Sequence, residues 1–410
     1  MISDDLLEEN IRLSDAEFLG KRKPLFWLLF KNALLTILTF GFYRFWGKTW
    51  VRQFYWGNTR VFGDSLEYTG RPVELLVGFL IVLAVLLPLG GIFGSLEFMA
   101  EGSPLIAQKA LDIGYYVTLY TLIQIGFYRL WRFRLTRTTW RGIRFGMNGS
   151  AITYLGLAIL WGMVTVISLG VAFPWMRAKL IEYRMNHSRF GNTNFTFHMP
   201  IQDLWCLFIP WLVTYLLYFG SIVALAFYYW PELQFIWNLA TGTETPEILT
   251  EGMVKGYAAF IVLFLMFPIF LVWYRTRELQ FTINGIRLAG HGFESHARPT
   301  FVLWRIILTL LFYGLIPAGL VAIFMALFYL STLTGLIRPI VTVAMIISAV
   351  LVLVVFPILT HLVFHLPVIS HICDTLNGPD QSVFDEIIQS TNQDPSYGEG
   401  LADAFDVGAI

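Results

Sequence analysis

The sequence predicts an all-α polytopic membrane protein, with duplicated helical halves that carry short cytoplasmic surface helices and β-hairpins. Three observations predict it. Of the 410 residues, 56% are hydrophobic and only 14% charged, whereas soluble domains carry roughly a quarter charged residues. Six apolar runs, 73–96, 113–131, 204–230, 254–273, 301–330 and 340–369, reach the roughly 20 residues needed to cross about 30 Å of hydrocarbon. Finally, a tryptophan in a basic, aromatic stretch is followed 13 or 14 residues later by an arginine just ahead of a glycine. This happens at Trp46 and Arg60, Trp131 and Arg144, Trp175 and Arg189, and Trp273 and Arg287. A repeat at fixed spacing describes architecture before any single residue is interpreted.

In chain order, residues 1–24 form an N-terminal segment. Its acidic start has no positive stretch ahead of an apolar core, so no cleavable secretory signal is expected. Residues 25–150 and 151–300 form the two repeat halves, 301–370 two additional membrane helices, and 371–410 an acidic cytoplasmic tail. Two apolar runs are less ordinary. The run 25–43 is interrupted by Lys31 and Asn32, and the run 151–173 near Trp161 and Gly162. The two interruptions are 129 residues apart, the offset that also relates Trp46 to Trp175.

Charge decides what those two runs do. If both cross, the eight spans divide the basic residues evenly and leave no orientation signal. If both re-enter or lie in the interface, six spans remain. The N-terminal segment and all four basic stretches then share one side, opposite Lys109, Lys255 and Arg338. The positive-inside rule selects the second arrangement, with both termini cytoplasmic. The eight-span alternative stays open, because inverted three-helix repeats are a common transporter plan.

Each basic stretch, such as 48–55, reads as a helix lying along the membrane surface with its long cations snorkelling. Each then runs into short alternating pieces around a glycine, which read as a β-hairpin. The units at Trp46 and Trp175 are alike, and those at Trp131 and Trp273 share a Gly-Ile-Arg ending at Arg144 and Arg287.

The run Gly41 to Arg60 (GFYRFWGKTWVRQFYWGNTR), continuing through Glu67 to Gly70 and Glu74 to Leu76, resembles the YjgN family of bacterial inner-membrane proteins. The ending Gly398 to Val407 (GEGLADAFDV) is similar to that family's acidic tail. The resemblance implies a multi-pass protein of the bacterial cell inner membrane. The family has no known function, so no reaction, cofactor or catalytic residue is carried over.

Three constellations stand out. Arg60, Arg144, Arg189 and Arg287 suit bidentate contacts to anionic lipid headgroups or a phosphorylated solute; alternatively, each holds its hairpin to a nearby carbonyl or carboxylate. Lys31 and Asn32 lie inside an apolar segment, where an ionisable group marks a candidate solute or lipid pathway, although Lys31 could equally snorkel from a re-entrant hairpin. His361 and His365, four apart on one helix, are weak metal-ligand candidates, with His371, Cys373 or Asp374 as conceivable partners; polar packing within the bundle is the plainer reading. The two cysteines, Cys206 and Cys373, build neither a disulfide framework nor a zinc site. No Gly-x-Ser-x-Gly, His-Glu-x-x-His or Walker loop occurs, and the basic stretches clamped to apolar helices do not read as a nucleic-acid surface. Two functions are therefore expected, both non-enzymatic and without cofactor. One is a transporter- or permease-like protein for a small solute or lipid. The other is a membrane scaffold that grips anionic lipid and docks a protein partner through its acidic tail.

Overall fold

The computed structural model describes residues 15–199, 201–228, 251–334 and 354–390. Helices come in pairs, and each pair is bracketed by short strands. The first pair, α1 (Arg22–Leu38) and α2 (Arg44–Asn58), follows β1 (Ala16–Phe18) and leads into the hairpin β2 (Thr59–Val61) and β3 (Asp64–Tyr68). Next come α3 (Pro72–Met99) and α4 (Leu105–Thr136), then β4 (Thr138–Trp140) and β5 (Ile143–Met147). The third pair is α5 (Ala151–Ile167) and α6 (Phe173–Asn186), followed by β6 (Ser188–Phe190) and β7 (Thr193–Phe197). The fourth is α7 (Ile201–Tyr228) and α8 (Glu251–Gly285), followed by β8 (Ile286–Leu288), β9 (His291–Gly292) and β10 (Glu294–Ser295). The last is α9 (Pro299–Thr334) and α10 (Val354–Asp374), then β11 (Leu376–Asn377) and the single turn α11 (Ser382–Asp385).

The expectation of an all-α fold is corrected here. Strands β1 to β9 form one antiparallel sheet in sequence order, and β10 pairs with β11. The Asp15 N–H donates to the Leu376 carbonyl at 3.2 Å, joining β11 to the start of β1. Alternation sends Val61, Leu66, Trp140, Ile143, Phe145, Phe190, Phe195 and Leu288 into a single apolar cluster, so the sheet curls round its own aromatic face into a collar. Three of the turns need a left-handed backbone at both central residues, Phe62–Gly63, Arg141–Gly142 and Ala289–Gly290, as two-residue hairpins of the right twist require. Strands of two to five residues carry little alternation of their own, and their pairing joins segments such as Leu66 and Trp140 that local pattern does not connect.

Because consecutive strands pair, both ends of every helix pair return to the collar. Each helix also packs on the next, and α10 closes the ring onto α1. Four segments are long and apolar enough to cross a membrane: Pro72–Met99, Leu207–Tyr228, Pro299–Ile316 and Val354–Asp374. Only Leu75 and Gly78 of the 28 residues of α3 are buried, the exposure of a helix meant for lipid. The expected runs 113–131 and 254–273 fall within α4 and α8. Residues 229–230 and 340–353 of the expected runs lie outside the described residues.

The two unusual runs turn back. Helix α1 continues unbroken through Lys31 and Asn32, and α5 through Trp161 and Gly162, so the expected interruptions are not helix breaks. The breaks come later, at residues 39–43 and 168–172, again 129 apart. Phe40 and Leu169 adopt φ of 50° and 53°, and Gly41 and Gly170 φ of 93° and 95°. The same bonds close both turns: the Gly41 N–H donates to Thr36 O and the Gly170 N–H to Thr165 O, each at 2.7 Å. At 17 residues each, α1 and α5 extend about 25 Å. Their tips are apolar and exposed, with Phe40, Phe42, Leu169 and Ile167 uncovered.

Candidate functional site

Between the first short helix pair and the start of α10 lies a half-open cavity of about 530 Å³, within the range of small-molecule sites. Its floor is set by sequence: Gly47 on α2 has no side chain where α1 crosses it, and a Cβ there would sit 3.3 Å from Asn32 Cβ. That approach buries Asn32, whose side-chain amide donates to the Gly47 carbonyl at 3.3 Å. A carbonyl accepts only, so this contact fixes the amide nitrogen toward Gly47. The Asn32 carbonyl oxygen is then left buried with no partner among the described residues, a costly arrangement unless something supplies a donor.

One wall is cationic. Arg44, Lys48 and Arg52 succeed one another at four-residue spacing, hence on one face of α2, and all three line the cavity. Arg52 is buried and donates to Tyr68 Oη on β3 at 3.3 Å, tying the stripe to the collar. The closed end is formed by Tyr55 and His361, hydrogen-bonded at 3.2 Å. His361 stands on a π-helical turn, Thr360–His365, inside α10, a wide turn that recurs at functional sites. Tyr313 on α9 staples this turn by bonding Thr360 Oγ1 and the Phe356 carbonyl.

The sequence-predicted residues separate. Asn32 and His361, read apart, meet at this cavity. Lys31 is exposed on α1 and does not line it. His365 lies with its ring 4.8 Å from that of His361. No group of three metal-ligating side chains occurs among the described residues. His371 Nε2 instead accepts from the Arg298 N–H at 2.9 Å, and Cys373 is buried.

The four arginines lie on the collar face opposite the aromatic one, on four different strands. Arg60 stands 3.9 Å from its cross-strand partner Glu17. Arg144 is exposed. Arg189 is buried against Gly146 and donates to Asn148 Oδ1 and the Gly191 carbonyl. Arg287 lies over Gly292 and donates to the Asn284 and Ile286 carbonyls at 2.6 and 3.0 Å. They do not converge on one cavity. The tail, as far as it is described, docks on the chain itself: Phe384 enters the aromatic cluster, and Gln389 Oε1 accepts from the Arg144 N–H at 2.7 Å.

The stripe of Arg44, Lys48 and Arg52 was the missed signal. Its spacing was visible in the sequence, but read as a surface helix it had no cavity to face.

The third helix pair has a different interior. Arg177 on α6 meets Glu278 on α8 at 2.5 Å, and Arg275 holds the other carboxylate oxygen at 2.7 Å. Burial pushes the Glu278 carboxyl upward, but the two guanidinium groups outweigh it and hold the group below the usual carboxylate value.

A family model described as a bacterial protein of unknown function, DUF898, matches residues 14–404. No curated protein and no solved structure matches the chain.

Proposed function

Since the chain belongs, over nearly its whole length, to the DUF898 (YjgN) family of bacterial proteins of unknown function, we propose its role from its architecture. It is a multi-pass inner-membrane protein of permease type, for a small anionic solute or lipid. It carries out no catalysis, and the cavity beside Asn32 is its working site. Three long helix pairs supply six crossings. The pairs α1–α2 and α5–α6 re-enter, because strands at both of their ends are paired in one collar. The collar carries the basic stretches and so lies, with both termini, on the cytoplasmic side. The duplicated halves fit a transporter plan, in which polar groups and helix breaks at membrane depth mark the path.

The single observation that carries this reading is the cavity itself: a largely apolar space with one cationic wall, beside a helix that turns back within an apolar layer. The test is flux in reconstituted vesicles, with two probes measured separately: acyl-labelled fluorescent phosphatidylglycerol, followed between leaflets, and entrapped glycerol 3-phosphate. Movement of either above protein-free vesicles, reduced by Asn32→Leu, supports the reading. If neither probe moves, the scaffold alternative takes its place.

A further inference from the structure

A second cavity, of about 640 Å³, lies on the collar itself, at the seam where β8 and β9 meet the small β10–β11 sheet. Asn284, which lines it, stands eleven residues beyond Trp273 on α8, about 16 Å along the helix. The cavity is therefore outside the apolar layer, and what enters it comes from water. Two opposite charges line it without meeting. Gly292 lets the Arg287 guanidinium lie flat on the backbone, where a Cβ would stand 2.5 Å from Nη1. The Arg287 hydrogen bonds, to the Asn284 and Ile286 carbonyls, both use Nη1. Its Nε–Nη2 edge, a fork that matches a carboxylate, is uncommitted among the described residues. The Arg189 guanidinium lies on Gly146 in the same way, but there Nε is bonded to Asn148. Glu294 lines the same cavity and has His296 at 3.9 Å as its charged neighbour, both side chains being exposed. Asp15, at the edge of the seam, is occupied by the Gly378 N–H at 2.7 Å.

We infer that this seam binds a water-soluble zwitterion carrying a carboxylate and an ammonium, that is, a short peptide or a free amino acid. The ligand carboxylate takes the open edge of Arg287 in a charge-assisted fork, and the ammonium donates to Glu294. The side-chain amides of Asn284 and Asn377 donate to nothing else among the described residues and serve the polar groups between the two charges. Asn377 is the cross-strand partner of Glu294, so both sheets of the seam contribute. A phosphate ester would satisfy Arg287 but set further negative charge beside Glu294, a juxtaposition that suppresses wrong ligands. The site is separate from the cavity beside Asn32 and does not depend on that cavity being a pathway.

Isothermal titration calorimetry of the full-length protein in detergent tests this with L-alanine and L-alanyl-L-alanine, each also as its N-acetyl and its amide form, and with glycerol 3-phosphate. A free zwitterion is expected to bind, and the tighter of the two reads the separation of the charges. Blocking either of its ends should weaken it about tenfold, the worth of one charge-assisted bond. Glu294→Gln abolishes the discrimination against the acetylated form and keeps that against the amide; Arg287→Gln does the reverse. Glu294 is exposed, so its variant still decides the matter if Arg287→Gln, which disturbs two carbonyl bonds, fails to fold. Binding of neither zwitterion overturns the inference. So does discrimination against the acetylated form that survives Glu294→Gln, or glycerol 3-phosphate binding more tightly than both zwitterions. Asn32→Leu, the variant that tests flux, should leave zwitterion binding unchanged, so the permease reading and this inference stand or fall separately.

Discussion

The helix pairs α1–α2 and α5–α6 share a length, a turn and a place in the collar, yet their interiors differ. Where the first has Asn32, Arg44, Gly47 and Arg52, the second, 129 residues on, has Trp161, Phe173, Met176 and Ile181. Only Lys48 keeps its charge, as Arg177, and that charge is spent on a buried Glu278. In the second pair Thr165 Oγ1 meets Met176 Sδ, and Phe173 stacks on Trp211 at 4.5 Å between ring centres. In the first, the glycine leaves room and the cations line a cavity. What the pairs share builds the frame, and what they do not share is where chemistry is sought.

The largest effect is expected in the packed pair. Glu278→Gln leaves Arg177 and Arg275 facing a neutral group and should cost about 2–3 kcal/mol, the low end for a broken buried pair because Arg275 is half exposed. Thermal unfolding in detergent measures it. The pH dependence has a definite sign: the carboxyl is held below its usual 4.5, so its stabilisation is complete above that pH and is lost as pH falls through the depressed value. Glu278→Gln should flatten that acid limb, and an unchanged limb would assign it elsewhere.

Exchanging the floor residues tests the contrast itself. Met176→Gly should lose about 2 kcal/mol by removing packed volume and stiffness. Gly47→Met should leave stability within about 1 kcal/mol, its helix propensity gain offsetting the crowding against Asn32, while abolishing the proposed flux. Equal flux by the two variants would erase the distinction. The shared turns should respond alike: Gly41→Ala and Gly170→Ala each force a side chain into a left-handed backbone at about 1–2 kcal/mol. Gly170→Ala should be the worse, since its Cβ also meets Tyr215 at 3.4 Å. The smallest effect belongs to Lys31→Ala, within about 0.5 kcal/mol and with unchanged flux, because Lys31 is exposed and off the cavity.

Much of the frame was legible from residues alone. The apolar runs, the basic stretches, the glycine-marked hairpins and the odd behaviour of residues 25–43 and 151–173 all follow from composition and spacing. The closed collar did not, because ladder partners such as Phe195 and Leu288 are distant in the chain and each strand is too short to announce its register. The cavity was half legible. Asn32 was visible as a polar residue in an apolar run, but its weight comes from Gly47, and His361 enters only because α10 closes the ring onto α1. Lys31 drew attention by its charge, yet helical phase turns it away from the space its neighbour enters. The four arginines, alike in sequence, differ in burial because each meets a different cross-strand neighbour, Glu17 for Arg60 and Gly146 for Arg189.

Side-specific thiol labelling decides whether the second short helix pair turns back to the collar face. In protein with Cys206 and Cys373 replaced by serine, single cysteines are placed at Asp64 in the β2–β3 hairpin, Asn192 in the β6–β7 hairpin and Glu101 between α3 and α4. Asp64→Cys and Asn192→Cys should react from the same face of the membrane and Glu101→Cys from the other. Labelling of positions 64 and 192 from opposite faces would mean that the run 151–173 crosses, and the collar, the six spans and the re-entrant cavity would fall together.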